Sequence, residues 1–476
     1  MNELVGRFRE QNILKRVLNS PRSEFVAIYG RRRVGKTYLV RSFFNNDFQF
    51  QLTGLANATT EQQLTNFRVS LQRYSGNEDL PPVTTWFEAF QQLIKYLEQL
   101  NPGNAKILFL DELPWLDTRR SDFLIALEHF WNSWASARTD IKLITCGSAA
   151  SWIVGKLLNN HGGLHNRVTA RIRVEPFDLH DTELLLRRNG VVLDRYAILQ
   201  LYMVMGGIPF YLNEVQPGMN AAQNIDALCF ERNSLLRNEF KNLFASLFKH
   251  PERYETIIRK LAERSSGLSR KQLIEQTGLP SGGTTTRLLN DLEESGFVTQ
   301  YRPFQKRTIY FRLSDFYSRF YLKFIEPKSS LDLPEWSLSM DRPKIRTWTG
   351  HAFEQVCLEH IPQIKQALNI VGVATAVSTW RGEAMGKGAQ IDLILDRRDR
   401  VVNLCEIKFS VAPYSITKSY ADTLHQKTQI FKTATNTKKS VFLTLISTFG
   451  LVENEYATSL VQGRVSMEDL FRQKKS

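Results

Sequence analysis

The chain of 476 residues predicts a multidomain α/β protein organised around a parallel sheet that carries a phosphate-binding loop. Three observations carry that expectation. The apolar run Phe25-Val26-Ala27-Ile28-Tyr29 leads into Gly30-Arg31-Arg32-Arg33-Val34-Gly35-Lys36-Thr37 and then into the helical-looking residues 38–44, in the order strand, glycine loop, helix. A second apolar run, residues 106–110, ends in Asp111-Glu112, as a strand buried on both faces of a parallel sheet would at its C-terminal edge. From Tyr254 onward, three amphipathic helical stretches precede a pair of strands, the layout of a winged helix-turn-helix.

Length and composition set the frame. A chain this long exceeds what one hydrophobic core supports, so about two to four domains are expected. Hydrophobic content of 42% and charged content of 23% are those of a globular chain and exclude a fibrous or disordered class. No apolar run reaches membrane-spanning length, and residues 1–7 lack the basic-then-apolar layout of a secretion signal, so a cytoplasmic protein with no membrane partner is expected. Cys146, Cys229, Cys357 and Cys405 are scattered without C-x-x-C spacing, which argues for reduced, buried thiols and against a disulfide framework or zinc site. The formal charge of +14 fits a polyanionic partner such as DNA, and equally a generally basic enzyme.

Residues 3–20 carry Ile13, Leu14, Val17 and Leu18 at helical spacing. In the glycine loop, Gly30 and Gly35 let backbone N–H groups turn onto a triphosphate at the positive end of the next helix. Lys36 would reach the β- and γ-phosphates of ATP and Thr37 would ligate Mg²⁺. Residues 47–52 suggest a second strand, and residues 60–74 and 85–100 helices, separated by the breaker Leu80-Pro81-Pro82-Val83. Asp111 would hold the metal's water shell, and Glu112 would polarise the water that attacks the γ-phosphate. Trp115, Phe123, Leu127, Phe130, Trp131 and Trp134 recur at near-helical spacing, as core residues do. Residues 141–146 read as another buried strand, after which Ser148 can cap a helix over 149–158.

Residues 178–245 look mainly helical, interrupted by Val204-Met205-Gly206-Gly207-Ile208-Pro209-Phe210. In the winged helix, Thr284, Thr285, Thr286 and Arg287 are expected toward a groove and Arg302, Lys306 and Arg307 on the wing, positions suited either to DNA or to a lever that acts on the ATPase core. Residues 316–324 form an aromatic helix, followed by a proline- and serine-containing linker to about residue 343. Beyond it, residues 350–361 look helical and hold Glu354; residues 371–379 read as a strand, with Trp380 following it. Residues 388–395 form a strand bearing Asp392, and residues 401–409 a strand in which alternation puts Glu406 and Lys408 on one side. Two carboxylates and a lysine at the ends of paired strands can hold a divalent metal and orient a water for phosphodiester attack. His425, Gln426 and Lys427, on the next helix by pattern, face either phosphate or solvent.

The box Val5-Gly6-Arg7-x-x-Glu10 ahead of the glycine loop resembles the entry segment of the AAA+-related STAND ATPases, in particular prokaryotic ATPases of archaeal type. The resemblance implies that Gly6 and Arg7 pack beside the adenine. Arg31, Arg32, Arg33 and Val34 within the glycine loop and Tyr38 after it are expected in the nucleotide site by their place in the motif, the three arginines supplying only local positive charge beside the phosphates. The resemblance gives Ser148 a second role, as a γ-phosphate sensor. It further implies that Arg167 stabilises developing phosphate charge, in cis or across the boundary of a homo-oligomer, although Leu164-His165-Asn166 replaces the tyrosine and glycine usual before this arginine. Gly206-Gly207-Ile208-Pro209 resembles the G-x-P motif that brings Pro209 against the base. The C-terminal segment resembles the PD-(D/E)xK nuclease-like superfamily and a DUF234-like C-terminus. Asp392, Glu406 and Lys408 match its core and Glu354 its first-helix acid, while Gln390-Ile391-Asp392 lacks the motif's proline. By this resemblance Glu354, Asp392 and Glu406 would bind Mg²⁺ or Mn²⁺ in an α/β restriction-endonuclease-like fold.

The expected organisation is an ATPase core over 1–175, a helical lid over 176–248, a winged helix over 249–325, a linker over 326–345 and the nuclease-like domain over 346–476. The expected function is ATP binding and hydrolysis coupled to DNA binding and metal-dependent DNA cleavage. The alternative is a nucleotide-switched scaffold with a catalytically silent C-terminal domain.

Overall fold

The computed structural model describes residues 4–101, 103–159, 166–327, 336–337, 342–384 and 386–474. The chain divides into two units, residues 1–176 with 290–296, and residues 177–289 with 297–476.

In the first unit, β1 (Glu24–Tyr29), β2 (Phe50–Thr53), β3 (Lys106–Asp111), β4 (Ile141–Gly147) and β5 (Ala170–Arg173) form one sheet in the order β2-β3-β4-β1-β5. Every pairing is parallel. The three inner strands are buried almost throughout, as continuous apolar runs must be when both faces are covered. The edge strands β2 and β5 alternate between buried and more accessible residues. Helices Thr60–Ser75, Trp86–Gln99 and Phe123–Ser133 pack an aromatic core, in which Phe67, Trp86, Phe90, Phe123, Phe130 and Trp131 are buried. The first two of these helices begin at capping boxes, Thr59 with Gln62 and Thr85 with Glu88. The aromatic periodicity after β3 therefore serves packing, as read from sequence.

In the second unit, helices Leu179–Arg188, Arg195–Met205, Ala221–Cys229 and Glu239–Leu247 follow one another. The Gly206-Gly207 turn is fixed by a bond from Phe177 N to Gly207 O of 2.7 Å. A Cβ on Gly207 would lie 1.7 Å from Phe177 O, so no other residue fits. Pro209 then starts the short helix Pro209–Leu212.

The winged helix comprises helices Pro251–Ala262, Arg270–Thr277 and Gly283–Glu294, with β6 (Leu268–Ser269), β7 (Val298–Tyr301) and β8 (Tyr310–Leu313) antiparallel in the order β6-β8-β7. Thr284, Thr286 and Arg287 are exposed, but Thr285 is fully buried and its hydroxyl donates to Pro280 O at 2.6 Å. Thr285 is thus a packing and turn residue and does not face a groove. Arg302, Lys306 and Arg307 are exposed on the wing. The wing tip is docked: Phe304 N donates to Thr379 O at 2.8 Å, and the Phe304 ring lies 5.3 Å from that of Phe431.

The expected linker is shorter at its C-terminal end, because Pro343 occupies the first turn of the helix Pro343–Glu359. Residues 328–335 and 338–341 of that linker lie outside the described residues. Trp336 and Trp348 join Phe320 and Phe324 in one aromatic cluster. The C-terminal sheet contains β9 (Thr375–Ala384), β10 (Lys387–Arg397), β11 (Val401–Lys408), β12 (Ser440–Ser447) and β13 (Gly463–Ser466), in the order β13-β12-β11-β10-β9. The pairs β9–β10 and β10–β11 are antiparallel; helix Lys418–Thr435 then crosses over so that β12 runs parallel to β11. Trp380 lies inside β9, which extends five residues beyond the expected end of that strand at 379.

His360 links two helices of this unit. Its Nδ1–H donates to Val356 O at 2.7 Å, and Nε2 accepts from Leu179 N at 3.0 Å, which requires the neutral ring. Burial accordingly pushes its pKa down to about 4. Because the folded value lies below the unfolded one, the contribution is present above the unfolded pKa and is lost as pH falls through the folded one. We expect up to about 3 kcal/mol to disappear between roughly pH 6.5 and pH 4. Thermal melts of wild type should drop over that window, and His360→Gln should show a flatter dependence; parallel curves would contradict the assignment. All four cysteines are buried and unpaired. No helix among the described residues is long and apolar enough to cross a membrane.

Candidate functional site

The loop after β1 turns at Gly30, with φ of 142°, where a Cβ would lie 2.3 Å from Val174 O. At Gly35 φ is 89°, a value that again favours glycine, and helix Lys36–Phe43 begins on the next residue. Lys36 Nζ folds back over the loop, donating to Gly30 O at 3.0 Å and Arg31 O at 2.8 Å. Burial lowers its pKa, while Cys146, Glu112 and Asp111 oppose that shift. Thr37 Oγ1 lies 3.1 and 3.0 Å from the two carboxylate oxygens of Asp111. Burial and the neighbouring Glu112 raise the Asp111 pKa. A hydroxyl and a buried carboxylate in this juxtaposition are hard oxygen donors and fit Mg²⁺.

Glu112 sits in the left-handed region, with φ of 48°, directly after β3. Two glycines make this turn possible. A Cβ on Gly54 would approach Glu112 O to 2.7 Å, and one on Gly147 would approach Pro114 Cδ to 2.6 Å. The Glu112 carboxylate accepts from Ser148 Oγ at 2.8 Å and from Ser148 N at 3.1 Å. Ser148 is therefore not a helix cap; Ala149 occupies the cap position of the helix Ala150–Trp152. Ser148→Ala should lower the ATP turnover number about tenfold and leave the ATP KM nearly unchanged, because only the orientation of Glu112 is lost. Steady-state phosphate release measures both quantities.

Arg7, also left-handed at φ 58°, donates to Val34 O at 2.9 Å and to Glu175 O. It ties the glycine loop to the segment following β5, a role that spacing did not reveal. Gly6 and Val34 are buried beside it, whereas Tyr38 is 46% exposed. Arg31 is buried, and a Cβ on Gly296 would lie 3.8 Å from the Arg31 Cβ. Arg32 is only partly buried, and Arg33 takes up the left-handed turn at φ 71°. Arg167 is exposed, and His161 and His165 lie outside the described residues. Pro209 belongs to the second unit.

The second cluster lies where β10 and β11 pair. Asp392 falls in a register shift between Ile391 and Ile394, a bulge that re-aims its side chain. Its Oδ2 accepts from Ile407 N at 3.3 Å, and burial, with Glu406 and Glu354 nearby, pushes its pKa up to about 7. Burial also raises Glu406, but Lys408 and Lys427 outweigh it and hold that carboxyl below its usual value. Glu406 is 3.0 Å from Lys408 Nζ, accepts from Lys427 Nζ at 2.8 and 3.0 Å, and accepts from Tyr420 OH at 2.7 Å. Glu354 stands 3.5 Å from His351 Nδ1.

Alternation along β11 foretold the Glu406–Lys408 pair. Tyr420 and Lys427 were missed as site residues: of the trio 425–427, His425 and Gln426 are exposed and only Lys427 turns to the acid. The signal was their spacing of seven, which places both on one helix face. The donors are hard oxygens suited to Mg²⁺ or Mn²⁺, but among the described residues no three His, Cys, Asp or Glu side chains are gathered as a metal site. Both Glu406 oxygens are already engaged, so the expected three-carboxylate arrangement of Glu354, Asp392 and Glu406 is not the one observed.

Residues 4–215 match the family described as an ATPase domain predominantly from Archaea, and residues 252–302 match the IclR helix-turn-helix domain. The chain is 24% identical over 436 residues to an uncharacterized protein of Methanocaldococcus jannaschii, covering 90% of this chain and 92% of that one. Among solved structures, a Walker-type ATPase of Pyrococcus abyssi is similar at 19% identity and a TM-score of 0.50, over 67% of this chain and 96% of its own. The ORC2 protein of Aeropyrum pernix, in ADPNP–ADP complexes, matches at 18% identity and a TM-score of 0.43, over 68% of this chain and 93% of its own. The N-terminal α/β domain is thus of the archaeal ATPase type, and an IclR-type helix-turn-helix follows it.

Proposed function

We propose that this chain is an ATPase that passes its nucleotide state to a DNA-binding winged helix, with a C-terminal domain that cleaves DNA with a divalent metal. The observation that carries the ATPase reading is the convergence of Lys36, Thr37, Asp111, Glu112 and Ser148 at the C-terminal edge of one parallel sheet. In this reading Lys36 and the loop amides hold the β- and γ-phosphates, and Thr37 and Asp111 hold Mg²⁺, which supplies charge neutralisation at the phosphates. Glu112 polarises the attacking water, and Ser148 keeps its carboxylate oriented. Arg7 ties the loop to the segment after β5, and Gly6 and Arg7 would pack beside the adenine. Pro209 at the adenine and Arg167 as a charge stabiliser, in cis or from a second copy, are further parts of the proposal.

Glu112→Gln tests this reading. The variant should bind ATP with near wild-type affinity and hydrolyse it about 10²–10³-fold more slowly. Turnover within a few-fold of wild type would remove Glu112 from the chemistry.

Coupling is supported by residues 290–296, which close the third helix of the winged domain and group with the ATPase unit, where Gly296 lies beside Arg31 of the glycine loop. The nuclease reading is supported by Asp392, Glu406 and Lys408 at adjacent strand positions and by the antiparallel-then-crossover topology of the sheet. Glu406 is charge-balanced by two lysines, so a cation here competes with Lys427. That same saturation favours the second reading, in which the domain is silent and the chain is a nucleotide-switched scaffold.

A further inference from the structure

A cleft of about 720 Å³ lies in the second unit between the end of helix Pro251–Ala262, the aromatic segment Phe316–Ile325 and the first turns of helix Pro343–Glu359. The aromatic segment changes from α- to π-winding at Tyr321, an irregularity that recurs at functional sites. Arg259, Arg319, Lys323, Lys344, Trp348 and His351 line the cleft. Arg259 is answered by Glu326, at 2.7 Å for its Nη2, and by Glu255 at 3.6 Å. Lys344 Nζ lies 5.5 Å from the centre of the Phe324 ring, and His351 meets Glu354 at 3.5 Å. Arg319 donates to Leu313 O at 2.6 Å, but its Nε is buried with no acceptor, and among the described residues Arg319, Lys323 and Lys344 form no ion pair. Trp348 Nε1 is a second buried donor with no acceptor.

The two carboxylates of the lining are already spent, Glu326 on Arg259 and Glu263 on Lys260, so the walls are left with donors and positive charge in excess. A buried guanidinium with no direct ion pair is costly, and burial with Arg312 nearby lowers the Arg319 pKa to about 10 although Glu354 and Asp315 oppose the shift. What offsets such a cost is an acceptor-rich anion. The donors are spread out: Lys344, Trp348 and His351 run along one helix face over roughly 10 Å, and Arg319 and Lys323 are one turn apart on the facing segment. One end of the row reaches Glu354, through its 3.5 Å contact with His351.

We infer that this cleft binds the phosphodiester backbone of a nucleic-acid strand, with Arg319, Lys323 and Lys344 contacting successive phosphates and leading the strand to Glu354 and Asp392. The inference rests on the reading of the C-terminal domain as one that acts on DNA. A free phosphorylated molecule would use the same chemistry, but at one point of the row and not along it.

The test is fluorescence anisotropy of a labelled single-stranded oligonucleotide with the full chain in EDTA, which separates binding from cleavage. Lys323→Glu with Lys344→Glu, both on exposed lysines, should weaken binding at least about tenfold and reduce the slope of log K against log salt by about 1.4. ATP hydrolysis should be unchanged. Arg319→Gln should weaken binding in the same direction. Equal affinity and slope in the double variant, or no salt-dependent binding by wild type, overturns the inference. Displacement of the strand by equimolar 5′-AMP overturns the assignment to a strand. Asp392→Asn should retain full binding, so loss of the nuclease reading, seen as no cleavage by wild type, is distinguished from loss of the cleft.

Discussion

Lys36→Ala should reduce steady-state ATP hydrolysis about 10³-fold or more and weaken ATP binding, without altering the melting transition appreciably. Lys36 is buried at the start of its helix and spends its ammonium on Gly30 O and Arg31 O, two carbonyls of the loop itself. In the proposed reading the same ammonium would turn to the phosphates when nucleotide binds. Alanine keeps the helix and removes that charge from beside the acids Asp111 and Glu112. Phosphate release and the affinity for a fluorescent ATP analogue read the two effects separately. Hydrolysis within a few-fold of wild type would mean that the glycine loop does not cradle a reacting triphosphate.

The second large effect is expected at Asp392. Asparagine there should abolish Mn²⁺- or Mg²⁺-dependent nicking, by about 10³-fold, while leaving the sheet intact. The substitution is nearly isosteric and relieves the like-charge interaction with Glu406 and Glu354, so the variant should melt no lower than wild type. That control separates loss of chemistry from loss of fold. Wild type that nicks neither single-stranded, duplex nor branched DNA would leave the scaffold reading in possession of this domain. Lys427→Ala then has a defined sign: it frees Glu406 Oε2, while Oε1 keeps Tyr420 and Lys408, and it should increase the metal's apparent affinity if Glu406 is a ligand.

The parts of the site that were legible in the sequence are those built from contiguous residues. A strand, a glycine loop and a helix in succession leave little freedom in where Lys36 and Thr37 point, and a β-strand's alternation is enough to pair Glu406 with Lys408. The parts that were not legible depend on contacts between distant segments. Ser148 reaches Glu112 across 36 positions, and Arg7 reaches Val34 across 27; neither partner is encoded in local spacing. Thr285 is an instructive error. With Leu288, Leu289 and Leu292 it completes an i, i+3, i+4, i+7 stripe, so its burial was readable once a hydroxyl was allowed on an apolar face. Pro343 likewise carried its own signal, since proline favours the first turn of a helix as readily as a linker. The wing's basic residues were expected from composition, but the docking of Phe304 on Phe431 could come only from the folded second unit.

In the proposed function, nucleotide bound at the glycine loop sets how tightly the winged helix holds DNA. The direct measurement is the affinity of the full chain for a fluorescent duplex at fixed salt, with Mg²⁺ and either a slowly hydrolysed ATP analogue or ADP. The two affinities should differ by about five- to tenfold, a coupling of roughly 1 kcal/mol, and Lys36→Ala should erase the difference. Affinities equal within twofold in both nucleotide states, in a wild-type protein that demonstrably binds nucleotide and DNA, would contradict it.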